Sequence, residues 1–101
     1  MAEVTLTRAD LDGLIAQYEI EALRFGGRAR ARLVHWRAQS PGLVMVTEGD
    51  LSTLIKHYDA LASAAYRRLR RAGDHADARA QLTAGRNRRG HWLRVLASAF
   101  G

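Results

Sequence analysis

At 101 residues, 48% of them hydrophobic, the chain has room for one domain with one modest core. It has no cysteine, which excludes disulfides and thiolate zinc sites, and no apolar run near the roughly 20 residues that span a bilayer. Its net charge of +6 is uneven: residues 1–27 set two arginines against five acids, a net of −3, so the remainder carries +9.

Thr7 is a good N-cap, with Asp10 at the capping-box position three residues on. Leu11, Leu14, Ile15, Tyr18 and Ala22 follow at helical spacing and predict a first helix. Gly13 inside it costs about 1 kcal/mol against alanine, so packing must compensate. Two glycines in "FGG", Phe25–Gly27, should end the helix. A second helix is expected over Arg28–Gln39, and "SPG" at Ser40–Gly42 breaks the chain.

"LVMV", Leu43–Val46, is short and β-prone and leads into a second capping box, Thr47 and Asp50. Leu51, Leu54, Ile55, Tyr58, Ala62, Ala65 and Leu69 then predict a long helix, broken by "AGD" at Ala72–Asp74. A weak helix is expected from His75 to Ala84, then Gly85, then a last helix that buries Trp92, Leu96 and Phe100.

The chain spells T-x-x-D-L-x-x-L-I-x-x-Y twice, from Thr7 and from Thr47. With an offset of forty, Val4 also matches Val44, Ala22 matches Ala62, Arg28 matches Arg68, Arg30 matches Arg70 and His35 matches His75. The pattern reads as an internal duplication, two cap-led helical units packed about a pseudo-two-fold axis. Asp10 and Asp50 are explained as caps. Tyr18 and Tyr58 are expected to fill the core, with their hydroxyls reaching solvent or a backbone carbonyl.

Little here points to catalysis. His35, His57, His75 and His91 lie far apart and in no metal-binding spacing, and no nucleophile motif or phosphate-cradling glycine loop occurs. The arginine clusters carry more: "RARARLVHWR" (Arg28–Arg37), "RRLRR" (Arg67–Arg71) and "RNRRGHWLR" (Arg86–Arg94). Arginine is a planar, permanently charged fork suited to phosphate, and phosphate contacts dominate nucleic-acid affinity. The bland alternative is a set of solvated helix faces, since fifteen arginines to one lysine also follow from a GC-rich genome. His-Trp ends two clusters, at Trp36 and Trp92. Each tryptophan is read first as a core anchor and second as a base-stacking ring.

"VTLTRADLDGLI", Val4–Ile15, resembles the opening of a ribbon-helix-helix protein, a short alternating strand followed by a capped helix. "GGRARARLV" from Gly26 is loosely similar to that family's second helix, and "LVMVTEGDLSTLI" repeats the opening. The resemblance implies a tandem pair in one chain whose strands present polar side chains to a DNA groove. Met45 stands where the first copy has Thr5, and helix two lacks the family's Ser/Thr cap. A helix-turn-helix reading of Ala22–Trp36 meets Arg32 where that motif places a buried aliphatic.

The expected architecture is all-α, a bundle of four or five helices in a single domain over residues 1–101. Its repeat units cover roughly 4–39 and 44–84, with a C-terminal helix over 86–100 and a short strand pair at 4–6 and 43–46. The expected protein is a small basic binder with no cofactor and no enzymatic activity. It contacts nucleic-acid phosphates through Arg67, Arg68, Arg70, Arg71, Arg86, Arg88, Arg89 and Arg94. The alternative is a protein-interaction module docking these helices on an acidic protein surface. The start "MAEVTLTRAD" lacks a signal-peptide layout, so a cytoplasmic location is expected, and a homodimer is among the expected assemblies.

Overall fold

A computed structural model describes residues 1–73 and 75–101. In chain order it holds β1 (Ala2–Leu6), α1 (Arg8–Phe25), α2 (Gly27–Arg37), β2 (Gly42–Val46), α3 (Glu48–Ala72) and α4 (Ala76–Phe100). No helix among the described residues is long and apolar enough to cross a membrane.

β1 and β2 pair antiparallel, with Val4 opposite Val44 and with Ala2 opposite Val46 as Leu6 is opposite Gly42. An offset of forty converts each of these pairs into itself or its mate, so the pseudo-two-fold axis runs between Val4 and Val44. The strands alternate as period-two geometry requires: Leu6 and Val46 are buried, while Glu3, Thr5, Leu43 and Met45 face outward. Strand, helix, helix, twice over, with the strands paired, is the element order that the ribbon-helix-helix resemblance implies.

Both capping boxes form. Thr7 Oγ1 accepts from the Asp10 amide at 3.2 Å and Asp10 Oδ2 accepts from the Thr7 amide at 3.0 Å. The same pair at Thr47 and Asp50 measures 3.1 and 2.9 Å. The leucine stripes of α1 and α3 then meet: Leu11, Leu14, Leu51 and Leu54 are fully buried, with Trp36 and Trp92 as the largest buried side chains. Trp92 therefore belongs to the core, as the first reading of both tryptophans expected.

Gly13 is required where α1 crosses α3. A Cβ there would stand 2.9 Å from the His57 ring, so the close crossing compensates the low helix propensity. The α1–α2 junction turns at Gly26 and Gly27, both with positive φ (64° and 41°). The expected break at Ala72–Asp74 falls where α3 ends and Gly73 takes φ 76°, with Asp74 outside the described residues.

Two features differ from the sequence reading. α4 runs unbroken from Ala76 to Phe100, so Gly85 does not divide a weak helix from a last one. Gly85 is buried against α3, where a Cβ would come within 3.1 Å of the Ala62 backbone nitrogen and 3.2 Å of the Tyr58 carbonyl oxygen. The second difference is register. Forty relates the strands and first helices, but Arg32 and Trp36 of α2 correspond in position to Arg88 and Trp92 of α4, an offset of fifty-six. Of the sixteen additional residues, seven lengthen α3 and seven the start of α4, adding about two turns, roughly 10 Å, to each. Ala65 and Ala78 are buried along this extended hairpin.

Candidate nucleic-acid interface

α3 and α4 pack antiparallel, and this brings two of the arginine clusters face to face. Arg67 and Tyr66 of α3 line one groove with Arg86 and Arg89 of α4, about 510 Å³ in volume, over a floor of Ala62 and Leu82. Arg86 and Arg89 reach it together because residues three apart share a helix face. Arg67 and Arg86 have no acidic partner among the described residues, whereas Arg89 Nη1 donates to Asp59 Oδ1 at 2.7 Å. The Arg89 Nε is buried with no hydrogen-bond partner.

The remaining candidates divide. The Arg70 guanidinium lies over the Tyr66 ring at 6.0 Å, and Arg71 is exposed near the end of α3. Arg68 points to the opposite side of the hairpin, its Nη1 donating to Gln81 Oε1 at 2.9 Å. Arg94 is exposed further along α4 and does not line the groove. Arg88 turns inward and pairs with the buried carboxylate of Asp10, so it is not a free phosphate contact.

That ion pair is one of two related sites that the sequence reading missed. Asp50 is fully buried and accepts from the Tyr18 hydroxyl (2.7 Å), Arg32 Nε (3.0 Å), Trp36 Nε1 (3.1 Å) and the Thr47 amide. Arg32 also donates through Nη2, a two-pronged grip on the carboxylate. Asp10, equally buried, accepts from the Tyr58 hydroxyl (2.8 Å), Arg88 and the Thr7 amide. Each tyrosine thus donates to the cap aspartate of the other repeat, not to solvent or a backbone carbonyl. The readable signals were the Asp-to-Tyr spacing of eight in both copies and the shared Arg-x-x-x-Trp of α2 and α4.

Burial alone would raise both aspartates, but the hydrogen bonds outweigh it and hold each below the usual value of 3.8. Burial, then the neighbouring carboxylate, pushes the Tyr18 hydroxyl up. For Tyr58 burial again acts first, and Asp10 adds to it. His57, desolvated against α1, is lowered from 6.5. The sign of the pH effect follows. The carboxylates' stability is present above 3.8 and lost as pH falls through their lower folded values. Protonation of His57 favours the unfolded chain below 6.5. The urea midpoint should therefore be level from pH 7 to 8, decline slightly toward pH 5 and collapse below about pH 4.

The two sites differ at one atom. Trp36 Nε1 has its acceptor, whereas the Trp92 Nε1 is buried with none. Both Trp→Phe substitutions remove core volume, but Trp36→Phe should cost about 1 kcal/mol more than Trp92→Phe, because only Trp36 gives up a hydrogen bond and leaves its acceptor short of a donor. Chemical denaturation of the two variants checks this difference.

These networks saturate their carboxylates and hold the halves together. No group of three His, Cys, Asp or Glu among the described residues could ligate a metal. His35 and His91 lie edge-on to Trp36 and Trp92, and the His75 Nδ1 accepts from the Ala78 amide. Much of the acidity of α1 is answered inside the molecule, by Arg37 at Glu19, Lys56 at Glu21 and Arg88 at Asp10.

The outward ribbon face offers Glu3, Thr5, Leu43 and Met45, with no basic group. The polar reading face implied by the ribbon-helix-helix resemblance is thus present only at Thr5 and Glu3, and Glu3 repels phosphate. No family model, curated protein or solved structure matches the chain.

Proposed function

We propose that the protein binds nucleic acid by its phosphates, through the groove between α3 and α4. The observation that carries this reading is the convergence of Arg67, Arg86 and Arg89 from two sequence clusters on one groove, with Arg70 and Arg71 beyond it. Asp59 lowers the charge of that groove but leaves it positive, and the extension of the hairpin adds arginine to one end of the molecule only. Binding of this kind weakens steeply with salt.

The test is fluorescence anisotropy of labelled oligonucleotides between 50 and 200 mM salt. Arg67→Ala combined with Arg86→Ala should reduce affinity and flatten the slope of log affinity against log salt by about 1.4 to 1.8, the value for two phosphate contacts. Binding that ignores salt, or no binding at low salt, would discard the proposal.

A second reading, a protein-interaction module, is favoured by a different surface. Leu43, at 68% exposure, and Met45 make the β2 side of the ribbon face apolar. A partner retained after nuclease treatment, and lost on Leu43→Ser, supports that reading instead.

A further inference from the structure

Tyr66 is unlike the other tyrosines. Tyr18 and Tyr58 are buried, with their hydroxyls committed to aspartates, whereas Tyr66 is 47% exposed and stands in the wall of the arginine groove. Arg70 lies over its ring, and Arg67 follows it directly in the chain. Ala62 and Leu82 add apolar lining beside the ring, and Ser63 and Asp59 complete the groove. An aromatic wall, two apolar side chains and three arginines set against one aspartate suit one flat ring attached to a phosphate.

From this arrangement we infer that the groove takes single-stranded nucleic acid, with one unpaired base stacked on Tyr66 and the flanking phosphates on Arg67 and Arg86, beside the Arg89–Asp59 pair. The inference rests on the nucleic-acid reading above and specifies its ligand. A duplex keeps its bases paired and stacked, so a ring set in a side groove cannot reach them. The surface that would enter a duplex major groove, the ribbon, offers Glu3, Leu43 and Met45 with the Thr5 hydroxyl, and no arginine, lysine, asparagine or glutamine for a two-pronged grip on a base edge. Stacking is tolerant of sequence because every base has a π-face, and a cation beside the ring strengthens it. The groove therefore selects strandedness rather than sequence.

The experiment compares a labelled twelve-residue oligothymidylate with a twelve-base-pair duplex, using the full chain and the variants Tyr66→Ala and Tyr66→Phe at 50 mM salt. The expected result is tighter binding of the single strand and a loss on the order of tenfold with Tyr66→Ala. Tyr66→Phe should retain the affinity, and the salt slope should stay unchanged in both variants, since no phosphate contact is removed. Tyr66 is exposed, and unchanged far-UV circular dichroism verifies that the fold is kept. Equal or tighter duplex binding, or single-strand binding indifferent to Tyr66→Ala, overturns the stacking site and leaves the phosphate contacts standing. Absence of binding to either oligonucleotide overturns both.

Discussion

Asp50→Ala should lower the unfolding free energy by about 4 kcal/mol or more, a large share of the roughly 5–15 kcal/mol that holds a small domain together. The carboxylate is fully buried and receives Tyr18, Arg32 and Trp36, so its removal leaves a partly buried guanidinium and two buried donors without an acceptor. It also removes the capping box that starts α3. Asp50→Asn should fall between, since it retains the volume and one acceptor oxygen. Urea unfolding followed by circular dichroism decides the matter, and an unchanged midpoint for Asp50→Ala would show that the network contributes nothing net.

Gly85→Val is expected to be the other severe substitution, with a loss of about 2–3 kcal/mol together with weakened oligonucleotide binding. The first added carbon would stand 3.1 Å from both Ala62 Cβ and the Ala62 backbone nitrogen, atoms of a helix backbone that cannot rotate away. The helices must separate, and the spacing that sets Arg67 against Arg86 widens with them. Asp50→Asn provides the contrast, because it loosens the junction of the repeats without altering the α3–α4 groove. Binding measured at a temperature where both variants remain folded separates the two effects.

What the sequence made legible was local. Thr7 with Asp10, and Thr47 with Asp50, announce their caps within four residues, and the leucine stripes follow at once. The pairing of the strands was also readable, because Val4 and Val44 occupy equivalent points of a two-fold repeat. The partners of Asp10 and Asp50 were not, since Tyr18 and Asp50 lie 32 positions apart and meet only when the repeats exchange side chains across the axis. Arginine abundance hid the true register of the second helices. Arg28 with Arg68 and Arg30 with Arg70 agree at offset forty, yet the residues that perform equivalent work are Arg32 and Arg88. Gly85 looked like a helix breaker for the same local reason. Its role depends on Ala62, across the hairpin, and no window of neighbouring residues contains that fact. The arginine groove lay between these extremes: its members were readable as clusters, but which of them face each other follows from the antiparallel crossing.

The sixteen residues that lengthen only the second repeat give the molecule a head and a tail. Two equal halves would present matched surfaces, suited to a palindromic ligand or to two copies of one. Joined in a single chain, one half carries a charged arm while the other supplies Tyr18 and Asp10 to hold its base. On the proposed reading, a strand lying along that arm would meet a surface with one direction, and binding should then saturate at one site per chain, with a fixed polarity relative to α3.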